Sequence, residues 1–511
     1  MQKLPVGIQD FRSLREDNFL YIDKTKYLYE LITKGKYYFL SRPRRFGKSL
    51  TVNTLAEVFK GSKDLFAGLW IEDQWDWNQK NPIIQIGFSS MGYKTLGLEK
   101  AIYARLSQEA QTHDIELKSK GYDNQFRELI HKLAEKEGKV VILIDEYDKP
   151  IIDYLENPDK AKAQRDILKT FYSVLKDADA HLQLVFITGV SKFSKTSIFS
   201  ELNNLYDLTM SKVYNALCGY TQEELEHAFT DEIHQLAAEH QQDESWALNE
   251  VKKWYNGYTW GNRKQRIYNP FSILQVFSEF QFRNFWFESG TPTFLIKLLG
   301  EKGMYDMENI QATGVSFGSY ELDNISPITL LFQTGYITIK EELGMNLFVL
   351  GYPNQEVRES MLQYLITDYT QASQGLAAAP ALQMAHAILK GETAQLQHYI
   401  NALLGSIPYD LHQQNEAYYH TVMYLAFSLI GVHIQSEIHV AKGRLDSVIQ
   451  TPKAVYIFEF KVDSSAEEAI HQIQEKNYAQ PFLDEHKPVY AIGVNFNTNL
   501  REVDGLLIEA L

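Results

Sequence analysis

Apolar residues fall into two rhythms along this chain. Short unbroken runs, Tyr37-Tyr38-Phe39-Leu40, Val140-Val141-Ile142-Leu143-Ile144 and Leu184-Val185-Phe186-Ile187, read as strands buried on both faces. Leu50 to Phe59 instead spaces its apolar residues as a helix does. Buried strands separated by helical segments predict a parallel sheet with ligand at the carboxyl ends of its strands. From about Gly219 the composition turns helical, in Gln222 to Glu239 and Trp246 to Tyr255 above all. Strand-like pieces return at Tyr336-Ile337-Thr338-Ile339 and Leu347-Phe348-Val349-Leu350. A helix followed by a small hairpin suits a winged-helix module, which serves as packing or a lid as readily as a DNA contact.

The last hundred residues read as helix (Asn415 to Ile430), strand (Ile434 to Val440), strand (Leu445 to Gln450), strand (Ala454 to Phe460), helix (Ala466 to Tyr478) and strand (Val489 to Val494). Turns fall at residues 441–444 and 451–453, where Gly and Pro stand. The chain carries no internal repeat and no low-complexity segment. The expected architecture is therefore α/β and multidomain: a parallel-sheet domain over 1–218, a helical middle over 219–404, and a second α/β domain over 405–511.

Composition changes this picture little. With 511 residues the chain exceeds the roughly 100 to 200 of one ordinary domain, and 45% hydrophobic residues suffice for several cores. The single cysteine, Cys218, excludes an internal disulfide framework and a cysteine zinc cluster, which makes a reducing cytoplasm the expected compartment. The segment Met1 to Ser13 has no apolar core of signal-peptide length, and no stretch approaches the roughly 20 apolar residues of a membrane span. A membrane is therefore not an expected partner.

Charge matters locally. The net charge of -15 argues against general adhesion to nucleic acid. Residues 1–60 nevertheless carry twelve Lys and Arg against six Asp and Glu, with Arg42, Arg44, Arg45 and Lys48 crowded together.

That cluster lies in Ser41-Arg-Pro-Arg-Arg-Phe-Gly-Lys-Ser49, between a strand and a helix. A phosphate cradle needs inward N–H groups, a helix N-terminus, a lysine for the outer phosphates and a hydroxyl for magnesium. Gly47, Lys48 and Ser49 supply these in order, with Arg44, Arg45, Phe46 and Leu50 flanking the nucleotide. A strict pattern would have glycine at 42, where this chain has arginine. Gly-Lys-Ser alone could be a helix cap, but Val140 to Ile144 ends in Asp145-Glu146. A buried strand of that form delivers one carboxylate to magnesium and the next to the attacking water. Thr188 and Ser191 both stand where a γ-phosphate sensor is expected. Asp148 reads as a charged turn residue or a support for the metal shell. An arginine finger would come from Arg263, Arg266 or a second copy, so self-association stays open.

A second constellation lies near the C-terminus. Glu459 and Lys461, two apart on a strand, share one face while Phe460 points away, and Asp446 sits in the preceding strand. Two acids can hold Mg²⁺, or Mn²⁺ in its place, against a phosphodiester while the lysine orients water. Glu416 and Gln472, on the flanking helices, could reach the same centre or equally be ordinary surface polar groups. His433 and His439 have no evident third ligand and are read as structural. Residues 405–511 carry seven Lys and Arg against fourteen Asp and Glu, so nucleic acid would need the metal and the other domains.

These segments, with Gly7-Ile-Gln-Asp-Phe11, Tyr21-Ile-Asp-Lys-Thr25, Leu143-Ile-Asp-Glu-Tyr-Asp148, Tyr268-Asn-Pro-Phe271 and Gly443-Arg-Leu-Asp446, resemble bacterial proteins with an AAA-like ATPase domain and a PD-(D/E)XK nuclease-like domain. The likeness covers nearly the whole chain, and Arg42 is typical of the family's phosphate loop. It implies an additional-strand P-loop fold in front and a restriction-endonuclease-like αβββαβ fold behind. It also implies ATP and Mg²⁺ as cofactors, with Asp446, Glu459 and Lys461 in the nuclease positions and Gln472 as accessory. The expected activity is ATP hydrolysis coupled to cleavage of nucleic acid, DNA before RNA. The rival expectations are an ATPase switch with an inactive nuclease-like domain and, more weakly, a non-enzymatic adaptor.

Overall fold

The buried runs do become strands: β1 (Tyr37–Ser41), β2 (Ile83–Gly87), β3 (Val140–Asp145), β4 (Leu182–Gly189) and β5 (Tyr206–Asp207) form one sheet in the order β2-β3-β4-β1-β5. All its neighbours are parallel. In the computed structural model, residues 2–193, 198, 199, 202, 204–261, 264–288, 293–302, 304, 307–317, 326–370, 378–407, 416–428, 433–440, 443–485 and 487–511 are described. They fall into two compact units, residues 1–294 with 307–356, and residues 295–306 with 357–511.

The first unit is built on that parallel sheet. Val140 to Ile144 are wholly buried, each such side chain stabilising the fold by about 1.5–3 kcal/mol. Strand β4 lies between β1 and β3, which is the additional strand implied by the resemblance. Ser41 pairs with Gly189 and Ile144 with Ile187, so the outgoing ends of all three strands meet at one edge. Two strands of this sheet escaped the sequence reading. β2 alternates half-buried and buried residues, and β5 has only two residues.

The helix Lys48–Lys60 starts at Gly47, whose φ of 94° lies in the left-handed region that glycine adopts without a Cβ penalty. Gln222 to Glu239 is two helices, Gln222–Ala228 and Thr230–Glu239, rather than one. A capping box between Thr221 and Glu224 starts the first. The break falls at Phe229, which is buried with Leu225, Ile233, Val251, Tyr255 and Phe277 in the core of this helical region. The winged-helix-like element carries one strand more than expected. β6 (Ile310–Thr313), β7 (Thr338–Gly344) and β8 (Leu347–Gly351) form an antiparallel sheet, order β6-β8-β7, accompanied by the helix Pro327–Thr334. Exposed Glu341 and Glu342 on β7 would repel a phosphate backbone.

The second unit carries β9 (His433–Val440), β10 (Gly443–Gln450), β11 (Val455–Val462), β12 (Val489–Asn497) and β13 (Glu502–Ala510), in the order β13-β12-β11-β10-β9. Only β11 and β12 are parallel, joined by the helix Ala466–Glu475. With the helix Glu416–Ser428 in front, the order is αβββαβ, followed by the unforeseen edge strand β13. Gly493 lets that crossover helix approach, since a Cβ there would stand 2.3 Å from the Ala466 carbonyl. Among the described residues no helix is long and apolar enough to cross a membrane.

Candidate functional site

Three strand ends converge on Asp145. Its Oδ2 accepts a hydrogen bond from Ser49 Oγ at 2.5 Å and its Oδ1 one from Thr188 Oγ1 at 2.5 Å. The phosphate loop, the acidic strand and the strand between them are thereby tied at one point. Thr188, not Ser191, faces this centre. Ser191 gives its backbone N–H to Asp148, and its own hydroxyl is buried without a hydrogen-bond partner.

Lys48 is 6% exposed and donates to the carbonyls of Arg42 and Pro43, both at 2.9 Å. An ammonium has three donors, so one remains for a phosphate oxygen. Burial pushes this ammonium below the usual lysine range, and the negative charges of Asp145 and Glu146 oppose the shift.

Glu146 sits at φ 53°, a conformation that L residues seldom adopt outside strained functional positions. Its Oε2 is buried without a hydrogen-bond partner. Burial first, then neighbouring Asp145, raises its carboxyl above the ordinary range, while Lys48, Lys149 and Arg44 pull it down. A strained, orphaned carboxyl held near cations suits a group that accepts a proton from water.

Asp148 is neither an exposed turn residue nor turned toward the metal position. It is 1% exposed and accepts from Val190 N at 3.1 Å and Ser191 N at 2.5 Å, and burial pushes its carboxyl up to about 6. It therefore anchors the chain leaving β4.

Arg42 accounts for the missing glycine. Its side chain is wholly buried, donates to the carbonyls of Ser41 (2.8 Å), Thr209 (2.9 Å) and Tyr214 (3.2 Å), and lies 4.1 Å over the Trp260 ring. Burial lowers its guanidinium to about 10. Arg42→Gly, which would restore the strict loop pattern, should strand those carbonyls and cost roughly 3 kcal/mol or more, at about 1–3 kcal/mol per buried unsatisfied group. Chemical denaturation of the two proteins measures this, and an unchanged midpoint would show that Arg42 is dispensable to the loop.

A cavity of about 390 Å³ opens beside the loop. Arg44, Arg45, Phe46, Gly47, Lys48, Ser49, Leu50 and Glu146 line it, and so do residues from the outlying motifs: Gly7 to Gln9, Tyr21, Ile22, Lys24, Pro270 and Phe271. Arg45 stacks 4.7 Å over Phe271, and the Phe46 ring packs edge-on against Tyr258 and Trp260. Trp286 Nε1 holds the Arg44 carbonyl at 3.0 Å. Arg266 spends its guanidinium on the carbonyls of Ile339 and Lys340, while Arg263 lies outside the described residues.

In the second unit, Asp446 Oδ2 accepts from the Phe460 amide at 2.8 Å, so β10 and β11 present Asp446 and Glu459 together. Glu459 is 2% exposed; burial and the Asp446 charge push its carboxyl up to about 8. Gln472 hydrogen-bonds Glu459 Oε1 through Nε2 and accepts from Lys461 Nζ at 2.6 Å through Oε1. Lys461 Nζ stands 3.5 Å from Glu459 Oε1, and Glu459 Oε2 is buried without a hydrogen-bond partner.

Two further residues of this cluster were not singled out from sequence. His420 Nε2 is 3.6 Å from Asp446 Oδ2, and Tyr478 Oη is 3.4 Å from Gln472 Nε2. The i, i+4 spacing from Glu416 to His420 was the available signal. Glu416 opens its helix, but its side chain lies outside the described residues, as do those of His433 and His439 and the turn residues 441 and 442.

Both clusters offer hard oxygen donors of the kind that magnesium takes. At the loop, Ser49 Oγ and Asp145 Oδ2 stand side by side. In the second unit, the orphaned Glu459 oxygen adjoins a second carboxylate. Among the described residues no group of three or more His, Cys, Asp or Glu is placed to hold one ion. Each ion would thus complete its shell from water, main chain or substrate oxygens.

A family described as predicted AAA-ATPase matches residues 5–199, and one described as PD-(D/E)XK nuclease superfamily matches residues 414–504. The chain is 38% identical over 525 residues to the "uncharacterized protein in vnfD 5'region" of Azotobacter chroococcum mcd 1, covering 100% of this chain and 99% of that one. Among solved structures, the Aeropyrum pernix ORC1 protein in complex with DNA matches at 12% identity and a TM-score of 0.26, over 66% of this chain and 91% of its own. CDC6P from Pyrobaculum aerophilum matches at 10% and 0.22, over 68% and 93%.

Proposed function

This chain belongs to the family of predicted AAA-ATPases that carry a PD-(D/E)XK nuclease superfamily domain, and from that premise we infer an ATP-hydrolysing, metal-dependent nuclease. The division into an ATPase module at 1–218, a helical middle at 219–404 and a nuclease module at 405–511 is part of this reading. The observation that carries it is the hydrogen bond from Ser49 to Asp145, because it brings the phosphate loop and the acidic strand to one point.

ATP takes the cavity, with its phosphates against the amides of Arg45 to Leu50 and the free donor of Lys48. Ser49 and Asp145 would hold magnesium, which would supply positive charge to the phosphate oxygens. Glu146 receives the proton of the attacking water, and Thr188 orients Asp145. In the nuclease module, Asp446 and Glu459 would hold a divalent ion, which would supply Lewis acidity there. Lys461, positioned by Gln472, orients the attacking water toward the phosphodiester, and DNA is preferred to RNA as substrate.

The test is a panel of single- and double-stranded DNA and RNA incubated with ATP and Mg²⁺ or Mn²⁺. Wild type should cut at least one substrate, while Glu459→Ala should cut none and Lys48→Ala should lose ATP turnover. Equal products from wild type and Glu459→Ala would remove the nuclease half.

One observation favours a second reading, in which the nuclease-like module only binds or assembles. Glu459 is 2% exposed, and Gln472 already occupies one of its oxygens. That reading expects ATP turnover lost in Lys48→Ala with no cleavage dependent on Asp446 or Lys461.

A further inference from the structure

Phosphoryl transfer spreads negative charge over the equatorial oxygens, and P-loop enzymes answer with a cation beyond the loop lysine and the metal. Five cationic residues line the cavity: Lys24, Arg44, Arg45, Lys48 and Lys149. Three are engaged. Lys24 Nζ lies 2.6 Å from both oxygens of Glu224, Arg45 stacks on Phe271, and Lys48 grips two loop carbonyls. Arg266, the sequence candidate among the described residues, is turned onto the β7 backbone.

Lys149 differs in both placement and tether. It follows Glu146 by one turn, its amide donates to the Glu146 carbonyl at 3.1 Å, and its charge acts on the Glu146 carboxyl. Its side chain is 31% exposed, and Nζ stands 3.5 Å from Asp153 Oδ1. The other oxygen of Asp153 is already taken, by Lys94 Nζ at 2.7 Å and Tyr93 Oη at 2.7 Å. An ion pair 3.5 Å long, to a carboxylate that Lys94 already neutralises, is weaker than a close pair, so Lys149 can leave Asp153 at small cost. Arg44 shares the cavity but is exposed and lies in the loop itself.

We propose that Lys149 is the catalytic cation that meets the transferring phosphoryl group from within the same chain, so that ATP hydrolysis needs no arginine from a second copy. This rests on the ATPase reading above. In the step, the water oxygen bonds to the γ-phosphorus and the bond to the bridging oxygen breaks. The electron pair leaves on ADP, and the water proton passes to Glu146. Lys149 stays protonated throughout and supplies charge alone.

The test uses the full chain with steady-state ATP turnover, binding of a fluorescent ATP analogue, and thermal melting. Lys149→Ala should lose about 10³-fold in kcat, in the lower range of an arginine finger, with analogue affinity and melting unchanged. Lys149→Arg should recover part of that loss, and wild-type turnover per chain should hold constant on dilution. Turnover of Lys149→Ala within threefold of wild type overturns the proposal. So does a rate per chain that falls with dilution. Absence of turnover in wild type that binds the analogue removes the ATPase reading instead, and this inference with it.

Discussion

Glu146→Gln should lower ATP turnover by about 10²–10⁴-fold, the ordinary contribution of a general base, while ATP still binds. The amide matches the carboxyl in size but cannot accept the water's proton. Binding should persist because the groups placed toward the phosphates, the loop amides and Lys48, are untouched. The same change should raise the melting temperature. Glu146 buries an unpartnered carboxylate oxygen, and replacing the ionised group removes its desolvation cost. Glu146→Gly should stabilise further, because glycine adopts φ 53° without the steric penalty. Turnover assays paired with thermal denaturation measure both effects. Activity in Glu146→Gln near the wild-type level would assign the proton to another group.

Removing the carboxyl at Glu459 should have a comparably large effect on cleavage. Glu459→Gln should reduce it by about 10³-fold or more, since Lewis-acid stabilisation is worth several kcal/mol and each 1.36 kcal/mol is a factor of ten. The same residue makes a separate prediction for the metal-free protein. Its carboxyl is raised to about 8 from the ordinary 4.5, so between those values the folded state holds a proton that the unfolded state has released. Stability must then fall as pH rises from about 4.5 to about 8, and level off above it. With a chelator present, wild type should show that decline in its unfolding midpoint and Glu459→Gln should show a shallower one. Parallel pH profiles for the two proteins would mean that Glu459 is not the buried proton holder.

Much of this was legible in the residue order, because the strongest signals are local. Val140 to Ile144 must be buried on both faces wherever it lies, and an acid pair at its end must emerge at a sheet edge. Gly47, at the start of a helix, needs its left-handed φ whatever surrounds it. The β10–β11 pair was equally plain, since alternation alone puts Glu459 and Lys461 on one face. By contrast β2, β5 and β13 were not read, because short or half-polar strands gain their stability from the neighbour they pair with.

What the chain order determined by itself is the kind of chemistry: a phosphate loop, an acidic strand, and two acids with a lysine on a later hairpin. Only the tertiary structure decided which groups meet. It turned Thr188 rather than Ser191 toward Asp145 and buried Asp148 under the end of β4. It made Arg42 a support of the loop, turned Arg266 away to β7, and added His420 and Tyr478 to the second cluster. The reason is that hydrogen bonds and ion pairs act over a few ångströms, whereas these partners stand tens to hundreds of residues apart. Which of two nearby polar side chains is used depends on packing that no local pattern encodes.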